Sequence, residues 1–119
     1  MERSLRLLDE IVADVEQLPA LRQLLAERYL PGAADRGMVL AGAWVSPPVA
    51  VPGEPHTLWL QWELADLASW WRMRAQAGSD PAVAALWREV DALCRSRRRH
   101  ALMPADQPLP HPAEDGHGA

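Results

Sequence analysis

Thr57-Leu58-Trp59-Leu60-Gln61-Trp62-Glu63-Leu64 is the stretch that decides the fold. Its residues alternate between two sets, and a period of two is typical of a β-strand because successive side chains point to opposite faces. One set is Leu58, Leu60, Trp62 and Leu64, and the other is Thr57, Trp59, Gln61 and Glu63. The first set predicts a face buried in a hydrophobic core. The second predicts a face that presents an indole together with polar groups.

A helix and a second strand are predicted before this stretch. Apolar residues recur at helical intervals at Leu18, Leu21, Leu25 and Tyr29. Pro19 suits the first turn of this helix, and Pro31-Gly32 is expected to end it. The apolar residues 38–45 then predict a strand, and residues 46–56, with four prolines, predict a surface loop. The segment from residue 4 to 14 fits either a strand or the start of a helix.

Helix and strand patterns also follow the deciding stretch. Asp66 and Asp80 each stand where a helix cap is needed, and residues 78–81 divide the second helical region into two pieces. Residues 97–103 predict a short last strand. The order strand, helix, strand, strand, helix, strand predicts an α+β, ferredoxin-like βαββαβ domain, with one antiparallel sheet and both helices on one face. We expect this domain to span residues 1–104 and a disordered, proline-containing tail to span residues 105–119.

The sheet face that points away from the helices predicts self-association. It carries Trp59, and Trp44 of the preceding strand is a candidate for the same face. Large apolar groups gathered on a surface are costly to leave in water, and a small domain gains stability from an additional interface. We therefore expect a homodimer that forms through this face.

The composition disfavours several classes of protein. A net charge of −4, with basic residues that are all arginine, disfavours binding to nucleic acid. Cys94 is the only cysteine, which excludes an intrachain disulfide and a multi-cysteine zinc site, and no histidine spacing predicts a metal site. No segment approaches the roughly 18 apolar residues of a membrane span, so we expect a cytoplasmic protein. Phosphate-loop, dinucleotide and nucleophile-elbow motifs are absent.

The candidate ligand-binding residues are Trp44, Trp59, Gln61 and Arg99. The indoles suit an apolar or planar molecule, although packing against a second copy would also explain them. Arg99 closes the cluster Arg95-Ser96-Arg97-Arg98-Arg99, which suits either an anionic ligand or the negative end of a helix.

Glu63 and His100 are the candidate catalytic residues. Desolvation in an apolar cavity favours a neutral carboxyl, so Glu63 could serve as a general acid or base. The alternatives are an ion pair with an arginine of the last strand and solvent exposure at the end of the sheet. His100 could serve as a general base, as a haem ligand or as an ordinary surface histidine, because the pattern of the last strand does not reveal its face.

Four segments resemble the dimeric α/β-barrel superfamily, and within it the NIPSNAP-like and antibiotic-biosynthesis-monooxygenase-like small proteins. Gly37-Met38-Val39-Leu40-Ala41-Gly42-Ala43-Trp44 is similar to their second strand, and His56-Thr57-Leu58-Trp59-Leu60-Gln61-Trp62-Glu63 to their third. Residues 80–87 resemble part of their last helix, and Arg99-His100-Ala101-Leu102-Met103-Pro104 resembles their closing strand. The resemblance covers residues 4–104.

The resemblance implies a dimer in which two sheets close into a barrel. Known members of the dimeric α/β-barrel superfamily include cofactor-free oxygenases, polyketide cyclases, isomerases and haem proteins. The first hypothesis is therefore a cofactor-free protein that binds a small hydrophobic or aromatic molecule in the barrel. The alternative is a cofactor-independent monooxygenase, isomerase or polyketide cyclase-like enzyme of secondary metabolism, and haem binding is a third hypothesis.

Overall fold

A computed structural model describes residues 5–111 of the chain as four strands and two helical regions. The strands are β1 (Leu5–Asp14), β2 (Val39–Ser46), β3 (Pro55–Leu64) and β4 (Ser96–Leu102). The first helical region contains a 3₁₀ turn (Val15–Gln17), α1 (Leu18–Leu24), a π-helical turn (Leu25–Tyr29) and α2 (Leu30–Asp35). The second region contains α3 (Leu67–Gly78) and α4 (Pro81–Leu93).

The strands form one antiparallel sheet in the order β2-β3-β1-β4. With helical regions after β1 and after β3, this is the βαββαβ arrangement of the ferredoxin-like fold, and the predicted fold class is confirmed. The sequence left the first segment open between strand and helix. The structure shows a strand that pairs with both β3 and β4, and its alternate side chains Leu5, Leu7, Ile11 and Ala13 are buried.

Both helical regions pack on one side of the sheet and enclose a single apolar core. The core takes its sheet side chains from the predicted face of β3, namely Leu58, Leu60, Trp62 and Leu64. The helices contribute Leu21, Leu25, Leu86 and Val90. Burial of such side chains is the main favourable contribution to folding. The opposite side of the sheet is called the open face below.

A π-helical turn keeps the first helical region aligned with the core. Leu21, Leu25, Tyr29 and Ala33 are all buried and lie four residues apart. In a regular α-helix each step of four residues turns the side chain about 40° beyond a full turn, so such a row would leave the core. The wider turn Leu25–Tyr29 accommodates an extra residue and returns the row to the sheet.

The prediction that Pro31-Gly32 ends this helical region is wrong. Pro31 falls in the first turn of α2, directly after the π-helical turn, where its missing N–H interrupts no regular series of hydrogen bonds. The region ends instead at Gly37, which has a φ of 86°. The Met38 N–H then donates to the Ala33 carbonyl at 2.9 Å, as in a Schellman motif.

The second helical region has the two predicted pieces and the two predicted caps. The Asp66 carboxylate accepts a hydrogen bond from the Ser69 N–H at 2.8 Å, and the Asp80 carboxylate accepts one from the Ala82 N–H at 2.9 Å. The Ser69 hydroxyl and then the Ser69 N–H lower the pKa of Asp66, because both interactions favour the carboxylate form.

His56 anchors the proline-rich loop between β2 and β3. Its ring is buried, with Nδ1 3.0 Å from the Glu54 carbonyl and Nε2 3.2 Å from the Val51 N–H. A buried imidazole with backbone partners on both nitrogens has a structural role.

The two edges of the sheet differ in chemistry. β2 reads Val-Leu-Ala-Gly-Ala-Trp-Val-Ser, carries no charge, and is exposed over nearly its whole length, including Leu40 and Val45 on the helix side. β4 reads Ser-Arg-Arg-Arg-His-Ala-Leu, and charged side chains on an edge strand discourage further strand pairing.

The predicted tail, residues 105–119, is only partly described. Residues 105–111 contain neither helix nor strand, residues 1–4 and 112–119 lie outside the described residues, and disorder of the tail stays a prediction. Within residues 5–111, no helix is long and apolar enough to span a membrane.

Candidate functional site

The open face is defined by strand register, because residues directly opposite each other on neighbouring strands point to the same side of the sheet. The central strands β1 and β3 contribute Arg6, Leu8, Glu10, Val12, Thr57, Trp59, Gln61 and Glu63. The edge strands contribute Val39, Gly42, Trp44, Ser46, Ser96, Arg98, His100 and Leu102. The face is thus apolar toward β2 and charged toward β1 and β4.

Trp44 and Trp59 form a cross-strand pair on the apolar half of this face. They are directly opposite in the β2–β3 register, so the prediction that they share a face is confirmed. Trp44 is 65% exposed, which is a large exposure for an indole. The Trp59 indole N–H donates to the Ser46 hydroxyl at 3.0 Å, and this hydrogen bond fixes its orientation on the sheet.

Gly42 gives the Trp44 indole room to lie along its own strand. A Cβ atom at Gly42 would be 2.8 Å from Trp44 Nε1, closer than such atoms pack. Gly42 follows a register shift in β2 and lies opposite Gln61. We call Trp44, Trp59, Gln61 and Gly42 the tryptophan platform. It brings together three of the four predicted ligand-binding residues.

The charged half of the open face contains His100. Its Nε2 lies 3.2 Å from the Glu10 carboxylate, on the neighbouring strand β1. Arg98 lies directly opposite Glu10 in register, so Glu10 has two basic residues of β4, Arg98 and His100, beside it on the same face. His100 therefore faces the same side of the sheet as the tryptophan platform, and an imidazole next to a carboxylate can accept and return a proton.

Glu63 also lies on the open face but has different neighbours. It is opposite Val39 on one side and Arg6 on the other, at the end of β3. The predicted ion pair with an arginine of the last strand does not form, because β1 separates β3 from β4. Glu63 and His100 are two strands apart and offset by two residues along β1, which is roughly 12 Å between backbones, so they do not form one catalytic pair.

Arg99 lies on the helix side of the sheet, away from the other three predicted ligand-binding residues. Its Nε and Nη2 donate to the two oxygens of Asp9 at 2.6 and 2.9 Å, and Nη2 also donates to the Tyr29 hydroxyl at 3.1 Å. Burial acts to lower the pKa of the Arg99 guanidinium, but the hydrogen bonds and charge of Asp9, with Tyr29, outweigh burial and raise it. Arg99 is therefore a permanent cation whose main partner is already in place.

Asp9 is the residue that sequence reasoning missed. It is 3% exposed and also accepts a hydrogen bond from the Trp62 indole N–H at 2.9 Å. The Tyr29 ring lies beside it, with its centroid 5.6 Å from that of Trp62 and 4.9 Å from that of Trp87. The available signal was the phase of β1, in which Asp9 occupies a buried position between Leu7 and Ile11.

The remaining arginines of the predicted anion-binding cluster have partners, with one exception. Arg95 pairs with Asp14 and Arg97 pairs with Asp91, both at 2.6 Å. Within residues 5–111, Arg98 forms no ion pair. The cluster is thus divided between both faces of the sheet and does not form one anion site.

Cys94 and the metal-ligating residue types add no second chemical centre. Burial and then the nearby Asp91 charge raise the pKa of the Cys94 thiol, which makes it less nucleophilic. No group of three histidine, cysteine or acidic side chains within residues 5–111 could hold a metal ion.

The sheet order and the helices on one face define the chain as a ferredoxin-like α+β domain with one uncovered sheet face. No family model matches the sequence, and no curated protein matches it. The fold, by contrast, is shared with solved structures, and the resemblance that the sequence motifs indicate is confirmed at the level of the fold.

Solved structures that share this fold include NIPSNAP proteins and antibiotic biosynthesis monooxygenase-like proteins. A NIPSNAP domain protein from Burkholderia xenovorans matches with a TM-score of 0.64 and 16% identity, over 88% of this chain and 99% of that one. A NIPSNAP family protein of unknown function from Agrobacterium tumefaciens matches with a TM-score of 0.67 and 15% identity, over 90% and 94%. A putative antibiotic biosynthesis monooxygenase from Deinococcus radiodurans matches with a TM-score of 0.57 and 18% identity, over 90% and 98%.

Proposed function

We propose that two copies of this chain pair through their open faces, and that the tryptophan platform binds a small hydrophobic or aromatic molecule between the two sheets. The observation that carries this proposal is the cross-strand pair of Trp44 and Trp59 on an uncovered sheet face, with Trp44 65% exposed. Exposed apolar patches of this kind mark interaction sites in soluble proteins.

The tryptophan platform has the chemistry of a binding site for a planar apolar molecule. Two indoles offer large, rigid surfaces for ring stacking at a low cost in side-chain entropy. Gln61 adds one amide that can donate and accept a hydrogen bond beside the rings. A few polar groups among aromatic side chains is the usual composition of a small-molecule site.

The charged half of the open face also suits pairing of identical copies. Arg6 lies opposite Glu63, and Arg98 lies opposite Glu10, so acids and bases alternate across neighbouring strands. Charges that neutralise one another within a face lower the cost of removing that face from water. In a two-fold interface the same patch meets itself, so a face that carries both signs of charge can place its acids next to the bases of the second copy.

The oligomeric state and the bound molecule can be tested with one pair of variants. Light scattering on the wild type should give the mass of two chains. Trp44→Arg should give one chain, because it introduces a charge into the apolar half of the face. Val49→Arg is the control, since Val49 is also exposed, at 64%, but lies in the loop before β3. A monomeric wild type, or a Trp44→Arg variant as dimeric as Val49→Arg, would refute the pairing.

Native mass spectrometry tests the ligand. A small molecule that co-purifies with the wild type should be lost from Trp59→Ala and retained by Val49→Ala. Retention of the molecule by Trp59→Ala would place the site elsewhere, and the absence of any bound molecule from every preparation would contradict the binding proposal.

A second candidate function, proton transfer in a cofactor-independent enzyme, is favoured by the contact between His100 and Glu10. A carboxylate beside the imidazole can stabilise its charged form while it removes a proton from carbon. We expect 2-tetralone, whose carbonyl activates neighbouring C–H bonds, to exchange these hydrogens with D₂O faster in the presence of the wild type than with His100→Gln. Equal exchange rates would remove this candidate without affecting the binding proposal.

A further inference from the structure

A separate cavity lies on the helix side of the sheet, between α3, α4 and β4. Its volume is about 540 Å³, within the usual range for small-molecule sites. Its apolar walls come from Trp70 and Met73 of α3 and from Trp87 of α4. The whole sheet lies between this cavity and the tryptophan platform, so the two are distinct sites.

Small residues keep this cavity open. Ala77 and Gly78 of α3 and Ala84 of α4 line it, and none of them has a side chain long enough to fill the space between the helices. Trp70 and Trp87 line the opening between α3 and α4, where Arg99 lies 5.5 Å and Arg97 4.7 Å from the centre of the Trp87 ring.

The charged residues that line the cavity are all basic. They are Arg74 and Arg99, and no acidic residue lines it. Arg99 already has Asp9 as its partner, but its Nη1 has no hydrogen-bond partner among residues 5–111. Within the same described residues, Arg74 forms no ion pair.

Arg74 lies against two indole rings of its own helix. Its guanidinium carbon lies 5.0 Å from the centre of the Trp70 ring and 5.4 Å from that of Trp71. Stacking occupies the flat face of a guanidinium, whereas its N–H groups point outward in the plane. A carboxylate can therefore accept hydrogen bonds from Arg74 without disturbing the stacking.

From these observations we propose that the cavity between α3, α4 and β4 binds a small aromatic carboxylate, with the ring between Trp70 and Trp87 and the carboxylate on Arg74. An inorganic anion is not the preferred ligand, because it would leave the apolar walls of the cavity in contact with water. The basic residues disfavour aromatic cations. The carboxylate requirement distinguishes this ligand from the molecule proposed for the tryptophan platform, which needs no charge, and the inference does not depend on that site.

Isothermal titration calorimetry with two matched probes tests the charge requirement. We expect the wild type to bind 2-naphthoate at one site per chain, and to bind the neutral 2-naphthalenemethanol at least about tenfold more weakly, as the loss of a charge-assisted hydrogen bond predicts. Equal affinities for the two probes, or no binding of 2-naphthoate, would overturn the proposal.

Two pairs of variants locate the site. Arg74→Gln should weaken 2-naphthoate binding about tenfold, whereas Arg88→Gln on the neighbouring helix removes the same charge outside the cavity and should leave affinity unchanged. Ala84→Leu should block the cavity, whereas Ala82→Leu, outside it, should not. Circular dichroism confirms that each variant is folded.

Trp44→Ala separates this proposal from the proposed function. It should retain full affinity for 2-naphthoate, because Trp44 lies on the other side of the sheet. Loss of binding in Trp44→Ala, or equal affinities within either pair of matched variants, would overturn the assignment to this cavity.

Discussion

Asp9 and Arg99 lie directly opposite each other on β1 and β4 and form a two-pronged ion pair on the helix side of the sheet, at 2.6 and 2.9 Å. The Asp9 side chain is 4% exposed and the Arg99 side chain 29%, so the acid is buried and the base only partly so. This pair connects an edge strand to the core through side chains as well as through the backbone.

Asp9→Asn should lower the free energy of unfolding by about 3 kcal/mol. The substitution leaves the Arg99 guanidinium without its counter-charge in a largely apolar environment, and that loss is what costs stability. Urea unfolding followed by circular dichroism measures the change.

Asp14→Asn is the matched control on the same strand. Asp14 pairs with Arg95, but both side chains are about half exposed, at 44% and 53%. We expect a loss below about 1 kcal/mol, as for other exposed pairs. The double variant Asp9→Leu/Arg99→Met should be more stable than Asp9→Asn, since it leaves no unpaired buried charge, but less stable than the wild type, because the Trp62 N–H loses its acceptor. Equal losses in Asp9→Asn and Asp14→Asn would show that burial of Asp9 contributes nothing.

Gly42→Ala should displace the Trp44 indole while changing stability little. The added Cβ would be 2.8 Å from Trp44 Nε1, and the exposed indole can rotate away. The indole N–H resonance of Trp44, assigned by its disappearance in Trp44→Phe, should shift in a ¹H–¹⁵N spectrum.

Gly78→Ala provides the comparison for Gly42→Ala. No atom lies within 4 Å of a Cβ built at Gly78, so the Trp44 resonance should stay in place. An unshifted Trp44 resonance in Gly42→Ala would mean that the glycine is not needed for this indole position.

Asp66→Ala should destabilise the protein near neutral pH more than in acid. The Ser69 hydroxyl, followed by the Ser69 N–H, lowers the pKa of Asp66, so the carboxylate form is favoured in the folded state. The Asp66 carboxylate therefore stabilises the folded state above about pH 5, and this stabilisation is lost as the pH falls through the lowered pKa. The difference in Tm between wild type and Asp66→Ala should therefore shrink as the pH falls below 4. A carbon NMR titration should show a higher Asp66 midpoint in Ser69→Ala, and an unchanged midpoint would assign the lowered pKa to another cause.

Cys94 should react slowly with iodoacetamide in the folded protein. Burial, with a smaller contribution from the Asp91 charge, raises the pKa of the thiol, and only the thiolate reacts. At pH 8 we expect labelling at least about fivefold slower than that of free cysteine, with a large increase in denaturing urea. Labelling as fast as that of free cysteine would contradict the half-buried position of this thiol.

The sequence predicted most of the fold because several elements carry strong local signals. Strand β3 alternates without exception over Thr57–Leu64, and Asp66 and Asp80 are helix caps with a clear chemistry. Strand β1 was harder to assign, because Asp9 interrupts its apolar face. The buried carboxylate of Asp9 is stabilised by its ion pair with Arg99, which is 90 residues away in the sequence.

The candidate site was predicted only in part, for a similar reason. Trp59 was placed correctly because the strand around it alternates. Three consecutive arginines precede His100 in β4, so the sequence offers no apolar phase that would show which side each residue faces. Register with β1 decides this, and it places His100 on the open face and Arg99 on the other. Pairing between distant strands cannot be read from a local pattern.

The unlike edges of the sheet restrict how copies of this chain can assemble. A strand that joined at β2 would meet uncharged backbone and small or apolar side chains, whereas one that joined at β4 would have to dehydrate guanidinium groups. Edge-to-edge growth needs two receptive borders on every copy, and this chain provides one. Pairing at the sheet edges should therefore stop at two molecules and not propagate into a fibre.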